Sequence, residues 1–345
     1  MSINQAAFVL ENRKIELGPT EMPSPASDQV LLKVLYCGVC GSDVHFYSHG
    51  EPEFPDVYPF IIGHEFSGEV VEAGADVTTL KVGDRVSVEP GIPCRVCKWC
   101  ASGKYNLCPN VRFLSYPHSL GGMRNYVAHP AALCHLLPEN VSDLEGALIE
   151  PLAVGMYAVQ TSGATVGNSV AILGSGCIGL VTLLSLRAAG VRDITVVDLH
   201  EIRLKKALEL GAARVVNAQE LDPVQAVSSL NGGYGPEFVF ETAGNRVTAS
   251  QTVDMVQRGG TIMMVGNVVG QTPFNFQRFT NKELQVRSIF RYRNIFPTAI
   301  AAVASGQIDI TNIVSSIFPF EDTQQAFEDS ISQQQTMVKA VIQVA

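Results

Sequence analysis

The sequence predicts an α/β chain of two domains, a β-rich region followed by a doubly wound parallel sheet. Three observations carry this. The length of 345 residues suits two cores, at about 100–200 residues per domain. Up to about position 150, short apolar runs are separated by Gly, Pro and Asp turns. From about 165, strand-like runs alternate with helical periodicity, the pattern of a parallel sheet wound by right-handed crossovers.

In the first region "VLLKVLYC" (30–37), "GEVVEAG" (68–74) and "RVSVEP" (85–90) read as strands, with "VGDRV" (82–86) a turn between two of them. In the second, "VAILG" (170–174) precedes a helix over 177–189. "DITVVD" (193–198) precedes the helix "EIRLKKALELG" (201–211), and "RVVN" (214–217) follows. "EFVFETAG" (237–244) and "GGTIMMVG" (259–266) are short strands bounded by glycine. The tail from about 290 ends in the strand-like "MVKAVIQV" (337–344). Ser169–Leu186 approaches the ~20 apolar residues of a membrane span. Its three spaced glycines, and its change from β-type to helical periodicity, make it a buried strand–turn–helix instead.

Apolar residues make up 46% of the chain and charged ones 17%, as in ordinary globular proteins. With 24 Lys and Arg against 33 Asp and Glu the net charge is −9, and no polybasic run occurs. Nucleic acid and anionic membranes are therefore not expected partners. The start, "MSINQAAFVLENRKIEL", shows no basic segment leading into an apolar core, so no secretory signal is expected. The expected compartment is the cytoplasm, where thiols stay reduced and clustered cysteines bind metal.

"GSGCIG" (174–179) follows a strand, opens a helix and fits G-x-G-x-x-G. Gly174 serves the tight turn, Gly176 the close approach of a pyrophosphate, and Gly179 the packing of helix on strand, with Ile178 inside the motif. The helix N-terminus adds unpaired N–H groups and a positive dipole end. Asp198, at the end of the next strand, stands about where an acid that takes the adenosine ribose hydroxyls is expected. Its charge repels a 2′-phosphate, which favours NAD over NADP. Arg203 reads as lying beside the adenosine or solvating the helix, with a phosphate as the other partner it could take.

Four cysteines, Cys94, Cys97, Cys100 and Cys108, follow the spacing C-x2-C-x2-C-x7-C. Four thiolates close a tetrahedral zinc and leave no position for substrate, so this site is a staple. An iron–sulfur cluster is the rival occupant. Chemistry has to lie elsewhere. "CGVCGSDVHF" offers Cys37, Cys40, Ser42, Asp43 and His45, "GHE" offers His64 and Glu65, and "IEPLA" offers Glu150. One thiolate, one imidazole and one carboxylate suit a catalytic zinc with an open fourth position. Spacing alone does not choose among them.

"GHEFSGEVVEAGADV" resembles the zinc alcohol dehydrogenase signature of the medium-chain dehydrogenase/reductase superfamily. "GVCGSD", the four-cysteine lobe, "GSGCIG" and Asp198 stand around it in the family's order. "CGVCGSDVHF", "ALIEPLAVG" and "IFRYRNIFP" are further similar to the sorbitol/xylitol (polyol) dehydrogenases, and the resemblance covers essentially the whole chain. It implies a GroES-like catalytic domain over 1–150, with its zinc lobe at 91–110, and a C-terminal segment, 290–345, that returns to it. A Rossmann NAD-binding domain, 151–289, is inserted between them.

Carried over, Cys40 and His64 are catalytic-zinc ligands. Glu65 is the third, and Glu150 holds the zinc-bound water or binds directly. Cys37 and Asp43 match no ligand position and read as structural. The chain keeps the four-cysteine lobe that some polyol dehydrogenases have lost, which implies two zincs per subunit, one catalytic and one structural. Phe46 stands where several relatives carry tyrosine.

The implied reaction is reversible NAD-dependent oxidation of a secondary hydroxyl of a sugar alcohol to a ketose, by hydride transfer to nicotinamide. Ser42 and then His45 relay the proton, with Glu150 as a second route. Arg291 and Tyr292 match polyol-contacting positions, and Phe46 and Phe113 wall the substrate cleft. Val265, Gly266, Phe290 and Arg291 border the nicotinamide. Relatives are commonly tetramers or dimers, which implies a homo-oligomer. Two other readings stay open. One is a dehydrogenase of another secondary alcohol, such as threonine or butanediol. The other is a zinc-finger-type binding protein, against which the charge of −9 counts.

Overall fold

The computed structural model describes residues 3–11, 13–49, 58–116 and 120–345. The chain divides into two units, Met1–Glu150 with Phe296–Ala345, and Pro151–Ile295. The return to the first unit begins at Phe296 rather than at 290. The segment before it belongs with the second unit, where the Arg293 guanidinium lies over the Tyr157 ring at 5.3 Å.

In the first unit, a seven-stranded sheet runs Cys134–Leu136, Arg85–Val88, Glu65–Ala73, Gln29–Gly38, Ala340–Gln343, Ser316–Pro319, with Tyr126–Pro130 also paired to Gln29–Gly38. A three-stranded sheet of Lys14–Thr20, Asn4–Leu10 and Phe60–Ile61 accompanies it. Phe66, Leu32, Val70, Met123 and Phe327 fill the shared core.

Two register shifts, at Leu31/Leu32 and Val34/Tyr36, bulge the long central strand. Its end then aligns Gly38 with Glu65 on one side and with Val341 on the other. Three distant segments meet at that end: the residues after Gly38, the start of Glu65–Ala73, and the residues before Ala340.

The helix Gly41–His49 was not evident in "GSDVHFYSH", where β-branched, aromatic and Gly residues are weak helix formers. Packing decides it. The Tyr47 ring meets Phe327 at 5.3 Å, and Gln324 Nε2 donates to Tyr47 Oη at 2.8 Å from the helix Thr323–Ser332.

His129 is wholly buried in the strand Tyr126–Pro130, with Nε2 2.9 Å from the Glu89 carbonyl. Burial, aided by Arg112, Arg124 and His135, lowers its pKa to about 4 against the bond to Glu89. An unfolded histidine titrates near ~6.5, so below that the unfolded chain binds a proton the folded chain refuses. Stability present above pH ~6.5 is therefore lost as pH falls towards ~4, by up to about 3 kcal/mol. His129→Gln should flatten denaturant-measured stability between pH 7 and pH 5. An unchanged slope would place the acid sensitivity elsewhere.

The second unit is a six-stranded parallel sheet in the order Arg214–Asn217, Asp193–Asp198, Ser169–Leu173, Phe238–Glu241, Thr261–Met264, Gln285–Ser288. The chain starts mid-sheet, winds outward, and reverses at the boundary between Ser169–Leu173 and Phe238–Glu241. That is the Rossmann order, with its switch point at the glycine-rich turn. Cys177–Ala188 forms the helix after that turn, and Glu201–Glu209 ends just before Gly211, whose φ of 97° stops it. Among the described residues no helix is long and apolar enough to cross a membrane.

Candidate metal centre and dinucleotide site

Cys40 Sγ, a His64 ring nitrogen and a Glu65 carboxylate oxygen lie within 4.8 Å of one another. Donors around a tetrahedral zinc stand about 3.3–3.8 Å apart, given metal–ligand bonds of about 2.0–2.3 Å, so small adjustments would close the set. Glu150 is buried on the helix Asp143–Ser162 and is not among these three donors.

Asp43 ties the group together. Its Oδ2 accepts the Cys40 N–H at 3.3 Å, and its Oδ1 lies 3.4 Å from His64 Nδ1. Burial opposes charge on both side chains, yet their mutual attraction, with bonds from Ser115 and Cys40, holds Asp43 below the usual carboxylate range. His64 is held well above the usual histidine value, by Asp43 and then Cys40 against its burial. Such a set is short of positive charge, the condition a divalent cation satisfies.

Lys339 already supplies one cation. Its Nζ contacts Glu65 Oε2 and donates to the Val39 carbonyl at 3.0 Å, and both side chains are 2% exposed. Gly38 leaves the room, since a Cβ there would overlap Glu65 and press on Lys339. Cys37 stands apart as a buried thiol pushed up by desolvation.

Ser42 is exposed, and its Oγ donates to Cys40 Sγ at 3.4 Å. His45, also exposed on the same helix, stacks on His49 at 5.0 Å. Phe46 points inward against Phe60 and Tyr116, at 6.2 and 6.0 Å. The Phe113 ring lies 5.2 Å from His64.

Cys94, Cys97, Cys100 and Cys108 bring their sulfurs within 4.8 Å of one another. Cys97 caps the short helix Lys98–Ala101, its Sγ accepting the Cys100 N–H at 3.5 Å. Backbone bonds from Val96 and Cys97 bring Cys94 down to about 6, whereas desolvation and its sulfur neighbours push Cys100 up to about 12.

In the second unit, Gly174 takes φ 97° and a Cβ there would press on Ala243. A Cβ at Gly179 would overlap the Gly174 carbonyl. At Gly176 only Arg203 Nη1 lies near, at 3.7 Å, so the backbone there is open. Asp198 Oδ2 accepts the Ser175 N–H at 2.7 Å and Oδ1 the His200 N–H at 2.9 Å. Ile178 lies in the first turn of the helix Cys177–Ala188. Val265 and Gly266 follow Thr261–Met264, their N–H groups both bonded to the Glu241 carbonyl at 2.9 Å. Phe290 is exposed beneath the Arg291 guanidinium, 4.8 Å from its ring, and Tyr292 is buried.

Family models match two stretches, the alcohol dehydrogenase GroES-like domain over 26–139 and the zinc-binding dehydrogenase over 177–305. The chain belongs to the zinc-binding alcohol dehydrogenases. Within this medium-chain dehydrogenase/reductase superfamily it falls in the polyol dehydrogenase branch. An uncharacterized zinc-type alcohol dehydrogenase-like protein of Escherichia coli is 42% identical over 99% of each chain. The sorbitol dehydrogenase of Bacillus subtilis is 35% identical over 98% of this chain and 97% of its own. A zinc-binding dehydrogenase of Sinorhizobium meliloti, solved with NADP, superposes with a TM-score of 0.91 at 30% identity, covering 100% of both chains.

This dehydrogenase is thus an oxidoreductase acting on CH–OH groups, with a GroES-like domain, a Rossmann domain, and zinc and a nicotinamide dinucleotide as its cofactors. Its sequence did not reveal Asp43 as the group facing His64, nor Lys339 as the partner of Glu65. Asp43 carries a faint signal, lying three residues past Cys40. Lys339 carries none, since only strand pairing brings it near.

Proposed function

We propose that this dehydrogenase oxidises a secondary hydroxyl of a sugar alcohol to a ketose, reversibly, passing hydride to NAD. The grouping of Cys40, His64 and Glu65 carries the reading, because three mixed donors leave a fourth position for a substrate oxygen. Those residues would hold the catalytic zinc, and Cys94, Cys97, Cys100 and Cys108 the structural one. Bound zinc supplies a Lewis acid that polarises the substrate hydroxyl.

Ser42 is the first proton acceptor from that hydroxyl and His45 the second. Three residues apart on one helix, they share a face, and both are exposed. Glu150 offers a second route, and Phe46 and Phe113 supply apolar walls. Arg291 and Tyr292 would bind the remaining hydroxyls; a guanidinium offers several donors in fixed geometry. Gly174, Gly176, Ile178 and Gly179 cradle the pyrophosphate, Arg203 lies by the adenosine, and Val265, Gly266, Phe290 and Arg291 border the nicotinamide.

The reading places the enzyme in the cytoplasm, where its eight cysteines, none in a disulfide, stay reduced. It is a homo-oligomer, tetramer or dimer; the edge strand Gln285–Ser288 is exposed along its whole length, which suits pairing with a second copy.

NAD reduction by the zinc-loaded protein tests the proposal against sorbitol, xylitol, galactitol, threonine, 2,3-butanediol and ethanol, with and without a chelator. Chelator-sensitive turnover confined to polyols is expected. Turnover with threonine or butanediol alone would overturn the substrate class while keeping the chemistry.

Asp198 sets the cofactor preference, its two oxygens aimed by Ser175 and His200 so that ribose hydroxyls donate to it and a 2′-phosphate is repelled. Asp198→Ala should weaken NAD about 10-fold or more, the scale of hydrogen bonds to a charged group, and weaken NADP far less. An unchanged ratio of the two binding constants would remove Asp198 from this role.

A further inference from the structure

Ser115 follows the short strand Arg112–Phe113, is 2% exposed, and has φ 70°, a left-handed conformation unusual for a residue with a Cβ. Its hydroxyl is used in both directions. Oγ accepts the Gly63 N–H at 2.9 Å and donates its own proton to Asp43 Oδ1. Because an N–H only donates, the direction of the whole chain is settled.

Each end of this bridge touches His64. Gly63 is the residue before it, held at φ 96° where a Cβ would meet Cys37 Sγ and Met123 Cγ at 2.7 Å. Asp43 faces the imidazole Nδ1 at 3.4 Å and takes the Cys40 N–H on its other oxygen. One hydroxyl therefore holds the peptide that leads into His64 and the carboxylate that faces its ring. With Ser115 and Cys40 both donating to it, Asp43 is an acceptor facing Nδ1, which would leave Nε2 as the nitrogen for the metal.

We propose that Ser115 is a positioning residue of the metal centre, its hydroxyl fixing the orientation and tautomer of His64 by bridging Gly63 to Asp43. This rests on the reading of Cys40, His64 and Glu65 as zinc ligands. The left-handed backbone is retained because it aims the hydroxyl between those two partners.

The test compares zinc-loaded wild type, Ser115→Ala and Ser115→Gly. Zinc release to a chromogenic chelator is followed, together with thermal unfolding and the visible spectrum after cobalt exchange. Glycine tolerates φ 70° and lacks the hydroxyl, so it separates backbone from side chain and serves if the alanine variant does not fold. Both variants should release one zinc about 10–100-fold faster than wild type, the usual effect of losing a group behind a metal ligand. Their cobalt bands should shift, while the four-cysteine zinc leaves at the wild-type rate. A folded Ser115→Gly protein with wild-type release and spectrum would overturn the proposal. A wild-type chain holding only the four-cysteine zinc would instead overturn the ligand reading beneath it.

Discussion

Cys40→Ser should abolish NAD reduction while leaving NAD binding intact. The sulfur stands with His64 and Glu65 in the donor group, and a hydroxyl is neither anionic at neutral pH nor soft enough to hold zinc in its place. Loss of a Lewis acid worth several kcal/mol in the transition state costs about three orders of magnitude in rate or more. Gly174, Gly176 and Asp198, proposed above to hold the dinucleotide, belong to the other folding unit, Pro151–Ile295, with its own core, so cofactor titration should be unaffected. Metal analysis should show one zinc lost per chain and the four-cysteine zinc kept. Substantial turnover by a folded Cys40→Ser protein would remove Cys40 from the ligand set.

Lys339→Met should be the most destabilising single change near this site, and more so without zinc than with it. Lys339 and Glu65 are both 2% exposed, and the ammonium also satisfies the Val39 carbonyl. Removing one partner of a buried ion pair strands the other charge at a cost of about 3–5 kcal/mol. In the zinc-free chain the stranded Glu65 carboxylate bears that cost alone, at the strand end where Gly38 pairs with Glu65. With metal bound, a second cation faces the same carboxylate and the loss should shrink. Thermal unfolding with and without zinc measures this directly. An equal loss in both states would mean that Glu65 does not face the metal.

Much of the dinucleotide unit was legible in the chain because its signals are local. "GSGCIG" opens a helix over Cys177–Ala188, and "DITVVD" and "RVVN" are strands over the residues read as such. A glycine-rich turn flanked by apolar runs states its own conformation, since few other residues take φ 97° or permit the contact at Gly179. The four cysteines were readable for the same reason, lying within fifteen positions of one another. Cys40 and His64 were singled out by resemblance, because spacing left several candidates open.

The helix Gly41–His49 was missed because its residues have little helical preference and its packing partners Phe327 and Gln324 lie far along the chain. The resemblance puts the return of the chain at 290, because nothing in "FRYRN" shows that Arg293 rests on Tyr157. By itself, then, the sequence determined the fold class, the dinucleotide turn and the cysteine lobe, all written in neighbouring residues whose backbone demands are specific. Only the tertiary structure decided which side chains surround His64 and Glu65. Asp43, Ser115 and Lys339 reach them through strand register and a left-handed turn, and those contacts exist only once distant segments have paired.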